Sequence, residues 1–398
     1  MDPTGAQARR FPLVARPRPA CTPLPERVAD LTRRAAAATR AHDPATATAV
    51  INLAALLASD CGRPDLAHQW STRLAHTALT HPASDFRTAS HSLEPIINLA
   101  RLRTRAGDGT GAWKLLETLH RAIASHTDTT IDGILIPAAR LTPDPTAHRE
   151  LHQWLWTVLL SSGAHALATA GRWDDAHHRL HQHNGIGRRM LDGRQIAVIA
   201  HATTGKRTRA LELLRDTAPG EPWENAVTAA LTLLCQPAPT VSTMQQHAVA
   251  AYQALDTTAP GLVVFHTRLG MCLIDALGGV EQPAAQPIAA DLIERARSDG
   301  YAARDVLAHP GCRAILNQRQ AEQLTDQVTA CGLGTGGIPE PLLAELTVAL
   351  DATEAVIRET PAETRRPPNA SDMESHPANY PLYPARRPHL RPAPRPPR

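Results

Sequence analysis

The sequence predicts an all-α protein built from antiparallel helical hairpins, and three observations carry that prediction. Aromatic residues make up only 3% of the 398, with three Phe and four Tyr, while hydrophobic residues reach 43%. A core of that composition rests on Ala and Leu, which suit close-packed helices; sheets draw on β-branched and aromatic side chains. Apolar residues recur at helical spacing almost throughout Pro25 to Glu359. Glycines then divide that pattern at related positions. An all-β sandwich or barrel is excluded.

The glycines define an internal repeat. In four places a glycine is followed five residues later by alanine: Gly62/Ala67, Gly107/Ala112, Gly171/Ala176 and Gly205/Ala210. Ser71, Leu116, Leu180 and Leu214 stand nine residues after those glycines, and Ala55, Ala100, Ala164 and Val198 seven before. Glycine ends a helix in the left-handed conformation without a Cβ penalty. Alanine lets two antiparallel helices approach closely, and the leucine one turn on fills the groove beside it. Ala112, Leu115, Leu116, Leu119 and Ile123 form one apolar stripe of this kind. Ser71 departs from the pattern, with Trp70 and Leu74 beside it to compensate. The glycines are 45, 64 and 34 residues apart, so insertions interrupt the array.

The element order divides the chain into four parts. Residues 1–25, with six prolines, and 361–398, with eleven, are expected to be disordered Pro/Arg-rich ends, because proline lacks the amide donor and forbids regular helix. Residues 26–220 hold the repeat array. Residues 221–360 continue or cap it with helices expected at 222–235, 241–256, 262–277, 287–299, 320–331 and 340–358, because an open array end exposes its core. Gly332 to Gly337 reads as a flexible connector between the last two.

Charge follows the same division. Setting aside the four Arg and one Asp of 1–25 and the seven Arg and three acids of 361–398 leaves 30 basic and 34 acidic residues in the body. A body of that sign argues against direct DNA binding, which rests on neutralising phosphates. The terminal arginines read as solubilising. No run of 18 apolar residues is present, so no membrane span is expected, and Met1-Asp2-Pro3 does not begin a signal peptide. The six cysteines contain no C-x-x-C and read as small buried hydrophobes of a reducing cytoplasm. The oligomeric state is not readable from these features.

The glycine–alanine units resemble the tetratricopeptide repeat over roughly residues 45–220, most clearly from Ala164 to His183. The phrases Asn52 to Gly62, Leu191 to Gln195 and Arg304 to Gly311 also resemble an actinobacterial family of tetratricopeptide-like proteins without an established activity. Arginine outnumbers lysine 39 to two, which fits GC-rich coding of that kind. The resemblance implies a stacked α-solenoid whose first helices line a groove for a protein or peptide. Its groove positions fall on Asn52 and Asp60, on Glu94, Arg101 and Arg105, on Ser161 and His165, and on Asp192 and Gln195. Arg101 and Arg105 are four apart on one helix, a spacing that lets both guanidiniums converge on a carboxylate of an acidic partner.

No motif nominates chemistry. Thr204-Gly205-Lys206-Arg207-Thr208 shares Gly205-Lys206 with the end of a phosphate-binding loop, but Ala200 stands for its first glycine, Arg207 for its magnesium-binding hydroxyl, and no strand precedes it. His177, His178, His181 and His183 form the densest histidine cluster; His177 and His181 share a helix face, but no third close ligand is evident and a solvated face is the simpler reading. G-x-S-x-G and H-E-x-x-H are absent. The sequence therefore predicts a cytoplasmic, non-catalytic binding scaffold with no cofactor, no metal and no catalytic residue. A regulator that senses a peptide or small effector is the alternative, and an enzyme of unknown reaction the second.

Overall fold

The structure, a computed structural model, describes residues 2–80, 83, 85–142, 144–236, 242–256 and 258–359. Helix accounts for 71% of these and strand for 2%. After one turn, α1 (Ala6–Arg9), the chain runs extended to α2 (Leu24–Ala41). Helices then pack in chain-adjacent pairs: α3 (Pro44–Asp60) with α4 (Pro64–Ala78), and α5 (Phe86–Arg105) with α6 (Gly109–Ala124). A short antiparallel hairpin, β1 (Thr129–Ile131) and β2 (Ile134–Ile136), precedes α7 (Pro145–Val158). A π-turn at Leu159–Gly163 leads into α8 (Ala164–Thr169), which packs on α9 (Trp173–Gln182), and α10 (Asp192–Thr203) packs on α11 (Arg207–Arg215). The second half comprises α12 (Pro222–Cys235), α13 (Ser242–Gln253), α14 (Val263–Leu277), α15 (Gln286–Ala296), α16 (Gly300–Ala308), α17 (Pro310–Ile315), α18 (Gln318–Ala330) and α19 (Glu340–Glu359).

The four repeat glycines share one geometry. Gly62, Gly107, Gly171 and Gly205 have φ of +78°, +82°, +76° and +77°. In each case the next residue's N–H reaches back five residues: Arg63 to Ala58, Asp108 to Arg103, Arg172 to Leu167 and Lys206 to His201, at 2.8–2.9 Å. This Schellman closure satisfies carbonyls that a helix end otherwise leaves unpaired. Ala67, Ala112, Ala176 and Ala210 are fully buried, and Ala55, Ala100, Ala164 and Val198 are buried as well. Ser71 is buried with no partner for its hydroxyl, beside buried Trp70 and Leu74. Starting turns are fixed by side-chain caps: Asp43, Asp85, Asp108 and Asp144 accept first-turn amides of α3, α5, α6 and α7.

The chain closes on itself. Helix α19 packs against α2, α3 and α4, burying Leu346, Leu350, Val356 and Ile357 in one apolar cluster with Val28, Ile51, Leu57 and Leu74. The glycine-rich connector before it is pinned, contrary to expectation: Gly334 and Gly336 donate their N–H to the carbonyls of Asp60 and Cys61 at 2.8 and 2.9 Å. Its glycines at 332, 334 and 336 have positive φ, so their role is a tight return. A second, larger cluster takes in arm residues Ala8, Phe11 and Leu13 and runs on through the helices to Leu324 of α18.

The N-terminal arm corrects a second expectation. Residues 2–23 are packed rather than disordered: Phe11 is fully buried, and Ala8, Leu13 and Cys21 are nearly so. Proline keeps this segment extended, but the amides and carbonyls between its prolines find partners on the array. The 361–398 segment lies outside the described residues. The β-hairpin was also not anticipated. Its Asp132-Gly133 turn, both residues at positive φ, is a recognisable two-residue hairpin signal between Ile131 and Ile134.

Candidate binding face

The side of the array on which the arm lies is here the inner face. It recognises the arm as an extended strand. Gln195, fully buried on α10, takes both backbone groups of Leu13: its Oε1 accepts from the Leu13 N–H at 2.7 Å, and its Nε2 donates to the Leu13 carbonyl at 2.7 Å. A third bond from Nε2 to the Met190 carbonyl fixes the amide. The Trp173 indole donates to the Pro3 carbonyl at 2.9 Å. Arg18 N–H donates to the Gly261 carbonyl, and Cys21 N–H to Asp299 Oδ2, both at 2.9 Å; the Gly300 amide returns to the Cys21 carbonyl at 2.9 Å. Two ion pairs flank these contacts, Arg16 with Asp192 and Arg10 with Asp275, each at 2.5 Å. Burial works against the charged Asp275, yet hydrogen bonds from His309 and Arg10 hold its carboxyl below the ordinary range.

Asp60, at the end of α3, is the node where α2, α5, α16 and the connector to α19 meet. Its buried carboxylate accepts from Arg27 of α2 at 2.8 Å, from Arg105 of α5 at 3.0 Å, and from the Tyr301 hydroxyl of α16. Arg105 also donates to Ser59 Oγ at 2.6 Å. Burial and the Asp60 charge push the Tyr301 phenol well above its usual range.

A second network adjoins it. Asn98 Nδ2 donates to Asn52 Oδ1 at 2.8 Å, and Arg101 donates to Asn98 Oδ1 at 2.6 Å and to Glu94 at 3.2 Å. Arg101 and Arg105 therefore do not converge on one carboxylate. The first is committed to Glu94 and Asn98, the second to Asp60 and Ser59. Ser161 is also corrected: it is buried in the π-turn, where its Oγ donates to the Thr157 carbonyl at 2.8 Å.

His165, on α8, sits close to Asp192 and to three arginines. Burial pushes its pKa down to about 4, with Arg18, Arg268 and Arg16 adding to the fall and Asp192 opposing it. Arg18 is exposed, with its backbone anchored at the Gly261 carbonyl. Burial and then the charges of Arg268, Arg16 and Arg105 lower its pKa. Of the expected positions, Asp60 and Arg105 share one network, Asn52, Glu94 and Arg101 belong to a second, and Asp192 and Gln195 contact the arm. Sequence reasoning missed Arg16, Arg18, Arg27, Asn98, Arg268 and Tyr301. The signal for the first two was present in Arg16-Pro17-Arg18-Pro19, where prolines fix the spacing at which arginines are displayed.

Other candidates reduce to structure. The His177 ring packs edge-on to His201 at 5.0 Å, and His178 bonds to Gln182. Among the described residues, no group of three or more His, Cys, Asp or Glu side chains is placed to hold a metal ion. Gly205 and Lys206 form an interhelical turn of the kind described above. A shallow hollow of about 430 Å³ between α4 and α19 is lined by Arg73, His76, Thr77, Thr80, Glu354 and Arg358. Its charged groups are satisfied internally, since Arg73, Thr77 and Arg358 all bond Glu354. No helix among the described residues is long and apolar enough to cross a membrane. The chain matches no family model, no curated protein and no solved structure.

Proposed function

We propose that this chain is a non-catalytic binding protein, a tetratricopeptide-like helical array whose inner face holds a segment of a protein or peptide partner with acidic character. One observation carries the reading. The inner face already holds an extended chain by its backbone, through the paired Gln195–Leu13 bonds at 2.7 Å and the Asp299–Cys21 contact. Backbone recognition of this kind supplies affinity to an extended segment largely independently of its side chains. The arginines that act on His165, namely Arg18, Arg268 and Arg16, favour negative charge in what binds beside the arm. A cytoplasmic setting agrees with six cysteines that are unpaired and buried. A regulatory form of the same reading is favoured by the arm itself, because ligand and arm share one face and each senses the other.

Site-directed cross-linking tests the reading. A photo-reactive amino acid in place of Glu94 or His165 is expected to trap a partner in cells. The same group at the exposed positions His68 and Lys114, on the second helices of two pairs, is expected to trap little. Trapping from His68 or Lys114 alone would place the partner surface elsewhere.

A further inference from the structure

Where the arm meets α16 and α18, two thiols that lie 310 residues apart in the chain share one place. Cys21 stands near the end of the arm and Cys331 closes α18; both are buried. The Cys21 N–H is held by Asp299 Oδ2 and its carbonyl by the Gly300 amide, each at 2.9 Å. The Cys331 thiol donates to that same Cys21 carbonyl at 3.0 Å. Gly300, the first residue of α16, shows how near the sulfurs come. The point that a Cβ would occupy there lies 2.7 Å from Sγ of Cys331 and 3.0 Å from Sγ of Cys21. The sulfurs are therefore no further apart than the sum of those distances, and the glycine leaves them the space they share.

Their surroundings also differ from those of cysteines that only fill a core. The Arg27 guanidinium of α2 donates to Cys21 Sγ and the Gln327 amide of α18 to Cys331 Sγ, each at 3.7 Å. Such donors, one of them charged, stabilise the thiolate, which is the reactive form. Hydrogen bonding between the two thiols holds Cys331 below its usual range and pushes Cys21 above it. We propose that Cys21 and Cys331 form a reversible redox clasp, in which a disulfide between them locks the arm to α18. The oxidant is hydrogen peroxide. The Cys331 sulfur attacks one peroxide oxygen and the O–O bond breaks, giving a sulfenic acid and one water that carries away the Cys331 proton. The Cys21 sulfur then attacks the sulfenic sulfur, the S–O bond breaks, and the hydroxyl leaves with the Cys21 proton as a second water. The two thiols together lose two electrons, which the peroxide takes up, and a dithiol reductant restores them by exchange. A bond across so long a stretch of chain constrains the unfolded state strongly. The clasp goes beyond the binding reading and holds whatever the inner face binds, because both sulfurs and their donors belong to this chain.

The reduced full-length protein is treated with hydrogen peroxide, its free thiols are alkylated in denaturant, and it is digested without reduction for mass spectrometry. A peptide linking Cys21 to Cys331 is expected, with the other four of the six cysteines recovered alkylated. The oxidised protein is expected to melt at a higher temperature and to exchange the Cys21 amide more slowly, and dithiothreitol to reverse both. Cys21→Ser and Cys331→Ser are each expected to abolish the link and the shifts. Cys61→Ser is expected to retain them, although Cys61 lies close by, its Sγ 3.2 Å from the Cβ position of Gly332. The decisive result is read on the parent protein and does not depend on the variants folding. The clasp is overturned if the parent yields no such peptide, if Cys61 takes the place of either partner, or if Cys21 or Cys331 ends alone as a sulfinic or sulfonic acid. A link that leaves melting and exchange unchanged would overturn the locking of the arm.

Discussion

Asp60→Ala is expected to destabilise the protein by roughly 3–5 kcal/mol, the range for removing one partner of a buried ion pair. The carboxylate is only 4% exposed and receives two guanidiniums and a phenol. Removing it leaves Arg27, partly buried, and Arg105 facing each other without a counter-charge. Asp60 also joins four elements that are distant in sequence, α2, α3, α5 and α16, and its own carbonyl holds the connector to α19. The loss therefore concentrates where α2 meets the connector to α19. Thermal and urea unfolding are expected to show a large drop, with Asp60→Asn intermediate because it retains acceptor oxygen. A shift within about 0.5 kcal/mol, typical of an exposed surface site, would show that the node does not assemble.

Acid is expected to unfold the protein well above the pH at which carboxylates protonate. His120 is pushed down to about 4, first by burial and then by His152 and His183, and its Nε2 has no partner. His165 is held at about 4 by burial and the arginines around it. His91, His148, His177, His201 and His266 are also lowered, each chiefly by burial. A histidine whose folded value lies below its unfolded value of about 6.5 leaves stability unaffected above that pH. As the pH falls through 6.5 the unfolded chain takes the proton first, and stability is lost until the folded group titrates near 4. At pH 5 each of His120 and His165 accounts for about 2 kcal/mol on this basis, somewhat less where water reaches the ring. Melting temperature is expected to fall steeply between pH 7 and pH 5, and His120→Leu to flatten part of that fall. An unchanged melting temperature across the interval would show that these rings are not held neutral.

Much of the helical order was legible because it depends on local chemistry. The turn at Gly62, Gly107, Gly171 and Gly205 needs a residue without Cβ, and the alanine five residues later needs a close helix neighbour, so both leave a trace in sequence. Helices of the second half lie within three residues of their expected bounds, apart from α16 and α17, two short helices separated only by His309. Closure was not legible. It depends on Asp60, Tyr301 and Gly334 meeting across more than 240 residues, and no periodicity reports such a contact. The arm was misjudged for a related reason. Proline removes its capacity for helix but not its capacity to lie extended against Gln195 and Asp299. Helix position could not tell that Arg101 and Arg105 turn to different acids.

Hydrogen exchange in the intact protein tests most directly that the inner face holds an extended chain. The amides of Leu13, Arg18 and Cys21 each donate to the array. They are expected to exchange orders of magnitude more slowly than an unstructured peptide, and Gln195→Ala to release Leu13 first. Exchange of residues 11–21 at free-peptide rates, while α10 and α16 remain protected, would contradict the account, because the arm would then lie off the face.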